Sequence, residues 1–512
     1  MLNVGLSFTL KSHSHYIHDS QILHGMSQNF MCPGDRRLTS LMSSPKIPLV
    51  DLFAGPGGLG EGFSRVEDGK AFRTIISIEK DQHAIETLRL RAFYRAWLRN
   101  HRKLPPAYLD LLASENVEAK QSALAELAKL PEWAEAQEEA CHLELGKDNL
   151  LIHSLIKERL GKTKNWVLIG GPPCQAYSLV GRSRMQNHDG LKADHRHFLY
   201  KEYLAIIEKF EPAIFVMENV KGLNTAKVAG KPILPAILKD LQTAGSNGYE
   251  LHSLETEEDV LPGVGQDDYL IRAENHGVPQ TRHRVIIIGV RKDLGFKPEV
   301  LEKRKEVTVE QAIDDLPALE GLDSAKDRKE YSLKQCGQPL VRVKGLRKEL
   351  PPFLANFILP KASELVDVLL NHQARSHMHQ DLKRYEWWAT EARRTGKSPT
   401  LHDNVPPGLL PKHQNVHDDS PMVFADRFKV QLADKPCGTV TSHISKDGHY
   451  YIHYKADQAR SFSVREAARI QTFPDDYFFM GNRTQQYHQV GNAVPPYLAY
   501  QIGVIISKLL VR

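Results

Sequence analysis

One cysteine of this 512-residue chain lies where a nucleophile would be useful. The stretch WVLIGGPPCQAYS carries a short apolar run into Pro172, Pro173 and Cys174. Doubly wound sheets bind ligands outside the carboxyl ends of their strands, so this run would deliver the thiol to a ligand crevice. The prolines restrict the backbone just before it. A lone cysteine is usually an inert buried side chain, but this placement favours a thiol that attacks an electrophilic carbon.

An acid and two arginines lie next to the ends of two other apolar runs. IFVMENVKG places Glu218 at the end of another apolar run, and GVPQTRHRVIIIGV places Arg282 and Arg284 two residues apart as a further run begins. Residues two apart share one face of a strand, and guanidinium groups orient carboxylates and other anions. Each residue alone is also common as a solvated acid or a surface ion pair. Together with Cys174, they predict a site that combines nucleophilic attack with acid catalysis.

A glycine-rich turn after the first apolar run predicts a cofactor site. In VDLFAGPGGLGEG, Gly55, Gly57 and Gly60 match the pattern G-x-G-x-x-G, and Glu79 ends the next run. Glycines let the backbone approach a ligand closely, and a carboxylate at the end of the second strand accepts hydrogen bonds from ribose hydroxyls. NAD and S-adenosylmethionine both suit this pattern, so the turn alone does not choose the cofactor.

The elements that must position these residues are short runs rich in β-branched residues: IPLVDLF, TIISIE, WVLIGG, AIFVME and RVIIIGV. They alternate with segments of helical composition, which predicts an α/β fold with a largely parallel, doubly wound, Rossmann-like sheet. We expect the catalytic and cofactor-binding domain to span residues 47–307. Helical patterns reappear over residues 433–512, where we expect the chain to return to this domain.

Three segments depart from this alternation. Residues 1–46 have no periodicity and contain Met26 and Met42, which predicts a disordered leader or an over-extended start. Residues 88–160 are rich in Ala, Leu, Glu, Lys and Arg, which predicts an insertion of solvated amphipathic helices. The basic residues of Arg91–Lys103 suit contact with DNA, although exposed helices commonly carry such charges. Residues 308–432 mix Pro, His, Arg and aromatic residues without a clear period and predict a second, smaller domain.

The overall composition narrows the class of protein only slightly. With 67 basic and 62 acidic residues, the formal net charge of +5 tolerates a polyanionic partner without identifying one. The five cysteines form no Cys-x-x-Cys pair, which argues against disulfides and zinc and favours a reducing cytoplasm. No stretch approaches the ~20 apolar residues of a membrane span. Since no heptad pattern is present either, we expect a cytoplasmic monomer without a membrane anchor.

Six ordered motifs resemble those of a known family. DLFAGPGG, GGPPCQAYS, MENVKG, QTRHR, RSFSVREAARIQTFPDDY and QVGNAVPP occur in the order found in the DNA cytosine-5 methyltransferases of bacteria and phages, which include restriction-modification methylases. The resemblance covers most of residues 47–512, apart from the insertion and the middle segment. It implies S-adenosyl-L-methionine as the cofactor and double-stranded DNA as the substrate. Residues 308–432 occupy the place of the family's target-recognition domain.

The resemblance also implies roles for individual residues. The catalytic residues would be Cys174, Glu218, Arg282 and Arg284. Glu79 would bind the cofactor ribose, Lys80 would lie near the adenine, and Asp148 would hold the adenine amine. The complete set of implied cofactor-binding residues is Phe53, Gly55, Gly57, Gly58, Glu79, Lys80, Asp148, Pro172, Leu199, Asn492 and Val494. No metal ligand is implied.

The implied mechanism begins with addition of the Cys174 thiolate to carbon 6 of a flipped-out cytosine. Glu218 would contact ring nitrogen 3, which makes carbon 5 nucleophilic enough to take the methyl group. Arg284 would hold the base or Glu218, and Arg282 would support the catalytic loop. The polar segment GRSRMQNHDGLKADHR, residues 181–196, resembles that mobile loop, which closes over the target base.

Three alternatives stay open from the sequence. An NAD-dependent dehydrogenase explains the glycine turn but leaves Cys174 and the arginine pair without roles. Transfer to tRNA uses the same motifs, but that branch usually has a middle region shorter than residues 308–432. A non-catalytic DNA-binding module is disfavoured by the intact reacting residues. By family analogy alone, a restriction endonuclease is implied as a functional partner that forms no stable complex, and a solitary or phage-encoded enzyme is equally consistent with the sequence.

Overall fold

The computed structural model describes residues 46–173, 199–228, 230–256, 268–326, 340–411 and 425–511. The predicted nucleophile Cys174, the predicted catalytic loop 181–196 and the predicted leader, up to residue 45, therefore lie outside the described residues.

The described residues form sixteen strands and fourteen α-helices. The strands are β1 (Ile47–Leu52), β2 (Phe72–Glu79), β3 (Ala140–His142), β4 (Val167–Gly170), β5 (Ile214–Val220), β6 (Lys227–Val228), β7 (Lys231–Pro232), β8 (Tyr249–His252), β9 (Leu270–Arg272), β10 (Gln280–Thr281), β11 (His283–Arg291), β12 (Leu322–Asp323), β13 (Leu340–Arg342), β14 (Val368–Leu370), β15 (Ser376–His377) and β16 (Cys437–Gly438). The helices are α1 (Gly58–Ser64), α2 (Gln82–Asn100), α3 (Pro106–Ala113), α4 (Val117–Leu127), α5 (Pro131–Glu139), α6 (Asn149–Leu160), α7 (Leu199–Phe210), α8 (Leu234–Thr243), α9 (Val309–Ile313), α10 (Pro352–Ile358), α11 (His379–Thr395), α12 (Val464–Ile470), α13 (Arg483–Asn492) and α14 (Pro496–Leu510).

The central sheet has the strand order β3-β2-β1-β4-β5-β11-β8, with β9 also pairing with β11. Strands β1 to β5 run parallel, whereas β11 is antiparallel to β5, β8 and β9. The chain order reverses between β1 and β4, which is the point where such sheets bind ligands. All five predicted apolar runs form strands of this sheet, and the predicted α/β, Rossmann-like fold is confirmed. The antiparallel direction of β11 was not predicted.

Successive side chains of a strand point to opposite sides of the sheet, and both sides are covered by packed helices. On one face, Val50 and Leu52 of β1 share an apolar cluster with Ile152 of α6 and Ile206 of α7. On the other face, residues such as Leu49 pack with α1 and the apolar α14. This two-sided packing explains why the strands read as continuous apolar runs. It also holds the strand ends rigidly at the switch point.

The inserted helices are partly buried, which corrects the expectation of a solvated insertion. Phe93 and Tyr94 of α2 and Tyr108 of α3 are at most 1% exposed, and they share a cluster with Phe478 and Met480 near the C-terminus. The helical character of residues 88–160 is as expected from its composition. The sequence did not indicate this burial because α2 carries long polar side chains on several faces, and their partners come from distant segments of the chain.

The middle segment packs against the C-terminal part of the chain. Ile313 and Leu354 belong to the same apolar cluster as Ile470 and Tyr487, on the other side of the predicted boundary at residue 432. A smaller cluster around Trp388 belongs mostly to the middle segment. The predicted domain boundaries therefore do not coincide with a gap in packing, and they stay predictions.

Among the described residues, one helical stretch, Arg483–Leu510, has the length and composition of a membrane span. Its most apolar window is 78% buried inside the protein. Core helices of soluble proteins pass the same test, and α14 packs against the central sheet in this way.

Candidate active site

The candidate site lies at the carboxyl ends of β1, β4 and β5, beside the switch point of the sheet. Phe53 follows β1, Gly171 and Pro172 follow β4, and Glu218 lies near the end of β5. Because β4 is hydrogen-bonded to both β1 and β5, these three segments are neighbours. The structure therefore brings the predicted cofactor turn next to the segment that leads to Cys174.

Glu218 and Arg284 form an ion pair at this edge of the sheet. The Arg284 Nε lies 2.9 Å from Glu218 Oε1, and the two side chains are only 13% and 12% exposed. Burial lowers the pKa of Arg284, and the attraction of Glu218 offsets part of that effect. A Cβ atom at Gly171 would lie 2.9 Å from Glu218 Oε2, so a larger residue there would displace the carboxylate. The Glu218 carboxylate thus sits directly against the chain three residues before Cys174.

Asn219 fixes the backbone that precedes the predicted nucleophile. Its Nδ2 donates a hydrogen bond to the Pro172 carbonyl at 3.0 Å, and its Oδ1 accepts one from the Val220 N–H at 2.9 Å. The side chain is 3% exposed. Sequence reasoning missed this residue, although its place directly after Glu218 in MENV was a usable signal.

Arg282 is held by the segment that follows the middle region. Its Nη1 donates to the Val440 carbonyl at 2.7 Å, and the residue is 2% exposed. Burial, reinforced by the nearby positive charge of Arg284, lowers its pKa well below the usual value. Gln280, a second residue that sequence reasoning missed, accepts a hydrogen bond from the Val440 N–H at 3.0 Å. The QTRHR motif is therefore clamped to Val440, and the predicted support of the catalytic loop by Arg282 stays a prediction.

The glycine turn adopts a conformation that ordinary residues avoid. Phe53, Gly55 and Gly57 have φ values of +56°, +56° and +91°. A bulky side chain in this region marks a strained turn of the kind found at binding sites. A Cβ atom at Gly58 would lie 2.1 Å from the Val494 carbonyl, whereas a Cβ atom at Gly55 would have no atom of the described residues within 4 Å. Gly58 thus permits close packing of Val494, while Gly55 faces open space.

Glu79 closes the turn through backbone hydrogen bonds. Its Oε2 accepts from the Gly55 N–H at 2.7 Å, and its Oε1 accepts from the N–H groups of Lys80 and Asp81 at 2.9 and 2.8 Å. Burial raises the pKa of this carboxyl although these donors act in the opposite direction. The carboxylate is therefore held next to Gly55, with lone pairs left for a ligand.

A family model of C-5 cytosine-specific DNA methylases matches residues 152–508. Type II methyltransferase M.Bpa9945I of Bacillus paralicheniformis is 36% identical over 484 residues, which cover 90% of this chain and 99% of that protein. The chain belongs to the C-5 cytosine-specific DNA methylase family. The predicted family and enzyme class, a DNA cytosine-5-methyltransferase, are confirmed, which sets aside the dehydrogenase alternative.

A second relative agrees with this assignment, and one solved structure agrees with the fold. Type II methyltransferase M1.HphI of Haemophilus parahaemolyticus is 27% identical, over 90% of this chain and 87% of that protein. A crystal structure of a prophage-encoded E. coli protein, assigned as a DNA modification methyltransferase, aligns with a TM-score of 0.56. At 20% identity over 91% of this chain and 100% of that one, it supports the fold alone.

The two residues predicted to contact the adenine of a cofactor have other partners in this methylase. The Lys80 Nζ lies 3.0 Å from Glu144 Oε1, with both side chains largely exposed. Asp148 Oδ2 accepts a hydrogen bond from the Glu144 N–H at 2.8 Å. Lys80 and Asp148 therefore flank Glu144 next to Glu79, and their predicted cofactor contacts stay predictions.

The remaining predicted cofactor residues come from two other helices. Leu199 begins α7 and approaches Gly146, where a Cβ atom would lie 3.6 Å from its Cδ2. Asn492 ends α13 with an exposed side chain, and its Nδ2 lies 3.3 Å from the imidazole of His488. The predicted contact of Asn492 with the cofactor stays a prediction.

Asp51 is a buried acid beside the glycine turn that sequence reasoning missed. It is 0% exposed, and neither carboxylate oxygen has a hydrogen-bond partner of normal geometry among the described residues. Burial, together with the negative charge of Glu79, raises its pKa to about 8. An acid inside the apolar run IPLVDLF was the signal in the sequence.

The basic residue Arg91 is not on a DNA-facing surface, which corrects its suggested role. It is 4% exposed, and its guanidinium makes two hydrogen bonds to Glu61, of 2.6 and 2.9 Å. Its Nη2 also lies 3.0 Å from Asp476 Oδ1. Arg91 therefore links α2 to α1 and to the FPDDY motif, residues 473–477.

Proposed function

We propose that this methylase transfers a methyl group from S-adenosyl-L-methionine to carbon 5 of cytosine within a specific double-stranded DNA sequence. The single observation that carries the proposal is the Glu218–Arg284 ion pair, which lies against Gly171 just before the Cys174 segment. In its protonated form, a carboxyl group held this way is suited to donate a hydrogen bond to ring nitrogen 3 of a cytosine that the Cys174 thiolate attacks.

The residues of the turn suit S-adenosylmethionine. Gly55 leaves open space beside the Glu79 carboxylate, which suits a ribose with two hydroxyl donors. Among the described residues, neither oxygen of the buried Asp51 side chain has a hydrogen-bond partner of normal geometry, and the ammonium group of the cofactor's methionine part is a matching cation. When bound, the cofactor supplies an electrophilic methyl group on a sulfonium.

The chain's own residues would carry the other steps. The Cys174 thiolate adds to carbon 6 of cytosine, and Glu218 hydrogen-bonds or protonates ring nitrogen 3, so electron density rises at carbon 5. After methyl transfer, loss of the carbon 5 proton to a base in the site expels the thiolate and restores the ring. Arg284 holds Glu218 in place, while Asn219 holds the Pro172 carbonyl and thereby the approach to Cys174.

The target base must leave the helix to reach this site, at a cost of a few kcal/mol. We propose that residues 308–432 recognise the DNA sequence and help to meet that cost. The relatives named above are type II methyltransferases, so we propose that this enzyme protects host DNA from a paired restriction endonuclease, acting as a cytoplasmic monomer without a stable complex.

A covalent trap tests the proposed chemistry. Duplex DNA that contains 5-fluorocytosine blocks the final elimination, so the enzyme with tritiated S-adenosylmethionine should form a labelled protein–DNA adduct that survives denaturation. Cys174→Ser should form none. Cys141→Ser is the matched control, since Cys141 lies in β3 away from Glu218, and it should form the adduct normally.

The other outcomes are equally informative. An adduct with Cys174→Ser would refute the assigned nucleophile. Methyl transfer to tRNA but not to varied genomic DNA would refute the proposed substrate while keeping the chemistry. Absence of transfer to both would favour a protein that binds DNA without modifying it.

Calorimetric titration with S-adenosylmethionine tests the cofactor site separately. Glu79→Gln should weaken binding about tenfold, because it replaces a charged acceptor of two ribose hydroxyls by a neutral one. Glu135→Gln changes an exposed acid of α5 and should bind as the wild type does. Equal affinities for all three proteins would refute the assignment of Glu79 to the ribose.

A further inference from the structure

The FPDDY motif of residues 473–477 is buried throughout. Phe473 and Asp475 are 0% exposed, and Asp476 and Tyr477 are 1% exposed. The motif therefore cannot contact DNA at the surface. Its acidic residues are engaged inside the protein, with Asp475 bound by Arg469 and Asp476 bound by Arg91.

The last residue of the motif contacts the glycine turn directly. The Tyr477 hydroxyl donates a hydrogen bond to the Pro56 carbonyl. Pro56 lies between Gly55 and Gly57, the two glycines with positive φ. A Cβ atom at Gly57 would lie 2.9 Å from the Tyr477 hydroxyl oxygen, so this hydroxyl packs tightly on the turn.

Tyr477 is itself held in place from the C-terminal side. The Arg465 Nη2 donates to the Tyr477 carbonyl at 2.6 Å. The tyrosine ring packs against the rings of Phe473 and Phe479, with centroids 4.8 and 5.4 Å apart. Backbone and ring are thus both restrained, which fixes the position of the hydroxyl relative to Pro56.

We propose that Tyr477 is a positioning residue for cofactor binding, since its hydroxyl holds the turn of residues 55–58 in the shape that admits S-adenosylmethionine. A turn with two left-handed glycines has many alternative conformations when free. A fixed donor to its central carbonyl removes part of that freedom before the ligand arrives, which strengthens binding. This inference rests on the proposed function for the identity of the ligand.

The test compares Tyr477→Phe with Tyr487→Phe. Both substitutions remove one hydroxyl and keep the ring, and both residues belong to the same apolar cluster. The Tyr487 hydroxyl donates to the Phe462 carbonyl, away from the glycine turn, so it controls for a general loss of stability. We expect Tyr477→Phe to raise the Kd for S-adenosylmethionine about five- to tenfold and Tyr487→Phe less than twofold. In steady-state assays, most of the loss should fall in the KM for the cofactor rather than in kcat.

Hydrogen exchange of the cofactor-free enzyme gives a second readout. Amides of residues 54–60 should exchange faster in Tyr477→Phe than in the wild type, and at the wild-type rate in Tyr487→Phe. Equal Kd values or equal exchange for the two variants would overturn the positioning role. A wild-type enzyme that fails to bind S-adenosylmethionine would refute the proposed function, while the exchange data would still decide whether Tyr477 orders the turn.

Discussion

Replacing Arg91 by methionine should destabilise the methylase without weakening its contacts to DNA. Methionine keeps most of the length of the side chain and removes the charge. In the folded protein, Glu61 and Asp476 are 1% exposed, and both face the Arg91 guanidinium. The substitution therefore leaves two acids buried with one fewer positive charge between them.

The size of the effect follows from the contacts that remain. Breaking a buried ion pair by removing one partner usually costs about 3 to 5 kcal/mol. Arg65 stays 2.8 Å from Glu61, and Arg95 stays within 3.6 Å, so part of the compensation survives. We therefore expect a loss near the lower limit, about 3 kcal/mol of unfolding free energy.

The loss should depend on pH in a defined direction. Burial alone would raise the pKa of Glu61, but Arg91, with help from Arg65 and Arg95, lowers it to about 2. Because this value lies below that of the unfolded chain, ionised Glu61 stabilises the protein above about pH 4.5, and this contribution disappears as the pH falls towards 2. Without Arg91 the contribution shrinks, so wild type and variant should differ more at pH 7 than at pH 3.5.

Urea unfolding followed by circular dichroism at both pH values measures the difference. Arg99→Met is the matched control on the same helix, since Arg99 and its partner Glu135 are 38% and 42% exposed and such pairs contribute about 1 kcal/mol or less. DNA affinity of the folded Arg91→Met protein should match that of the wild type. Unchanged stability combined with weaker DNA binding would show that Arg91 acts at a DNA surface and refute this reasoning.

Three further outcomes are expected. Asn219→Ala leaves the Pro172 carbonyl without its donor, so kcat for methyl transfer should fall about tenfold while the Kd for the cofactor stays the same; an unchanged kcat would contradict the role of Asn219. Burial raises the pKa of the Cys437 thiol, so iodoacetamide should label it at pH 8 only after unfolding, as seen by mass spectrometry. Burial lowers the pKa of His372 to about 4 and of His453 to about 3, below the unfolded value of 6.5. The unfolded chain therefore binds more protons, and the urea concentration at the unfolding midpoint should decrease as the pH is lowered from 6.5 to 4. A midpoint that does not change over this range would contradict the burial of both histidines as neutral side chains.

The fold class and the place of several candidate site residues at strand ends were predictable because they rest on local patterns. Runs of β-branched residues form strands wherever both faces are covered, and glycines mark a turn that other residues would strain. The five apolar runs form strands of the sheet, and Glu218 lies where its run ends. The order of six motifs in the sequence is sufficient to indicate the family.

The tertiary structure alone decided how distant segments meet. Arg284 begins its strand, so in a parallel strand it would lie at the opposite edge of the sheet from Glu218. The antiparallel pairing of β11 with β5 brings the two together. In the same way, the sequence around Arg91 is typical of a surface charge, and only the tertiary structure shows its contacts with Glu61 and Asp476. The partner of the Tyr477 hydroxyl, the Pro56 carbonyl, is likewise visible only in the tertiary structure. Strand direction and long-range polar contacts depend on residues tens to hundreds of positions apart, and no local periodicity encodes them.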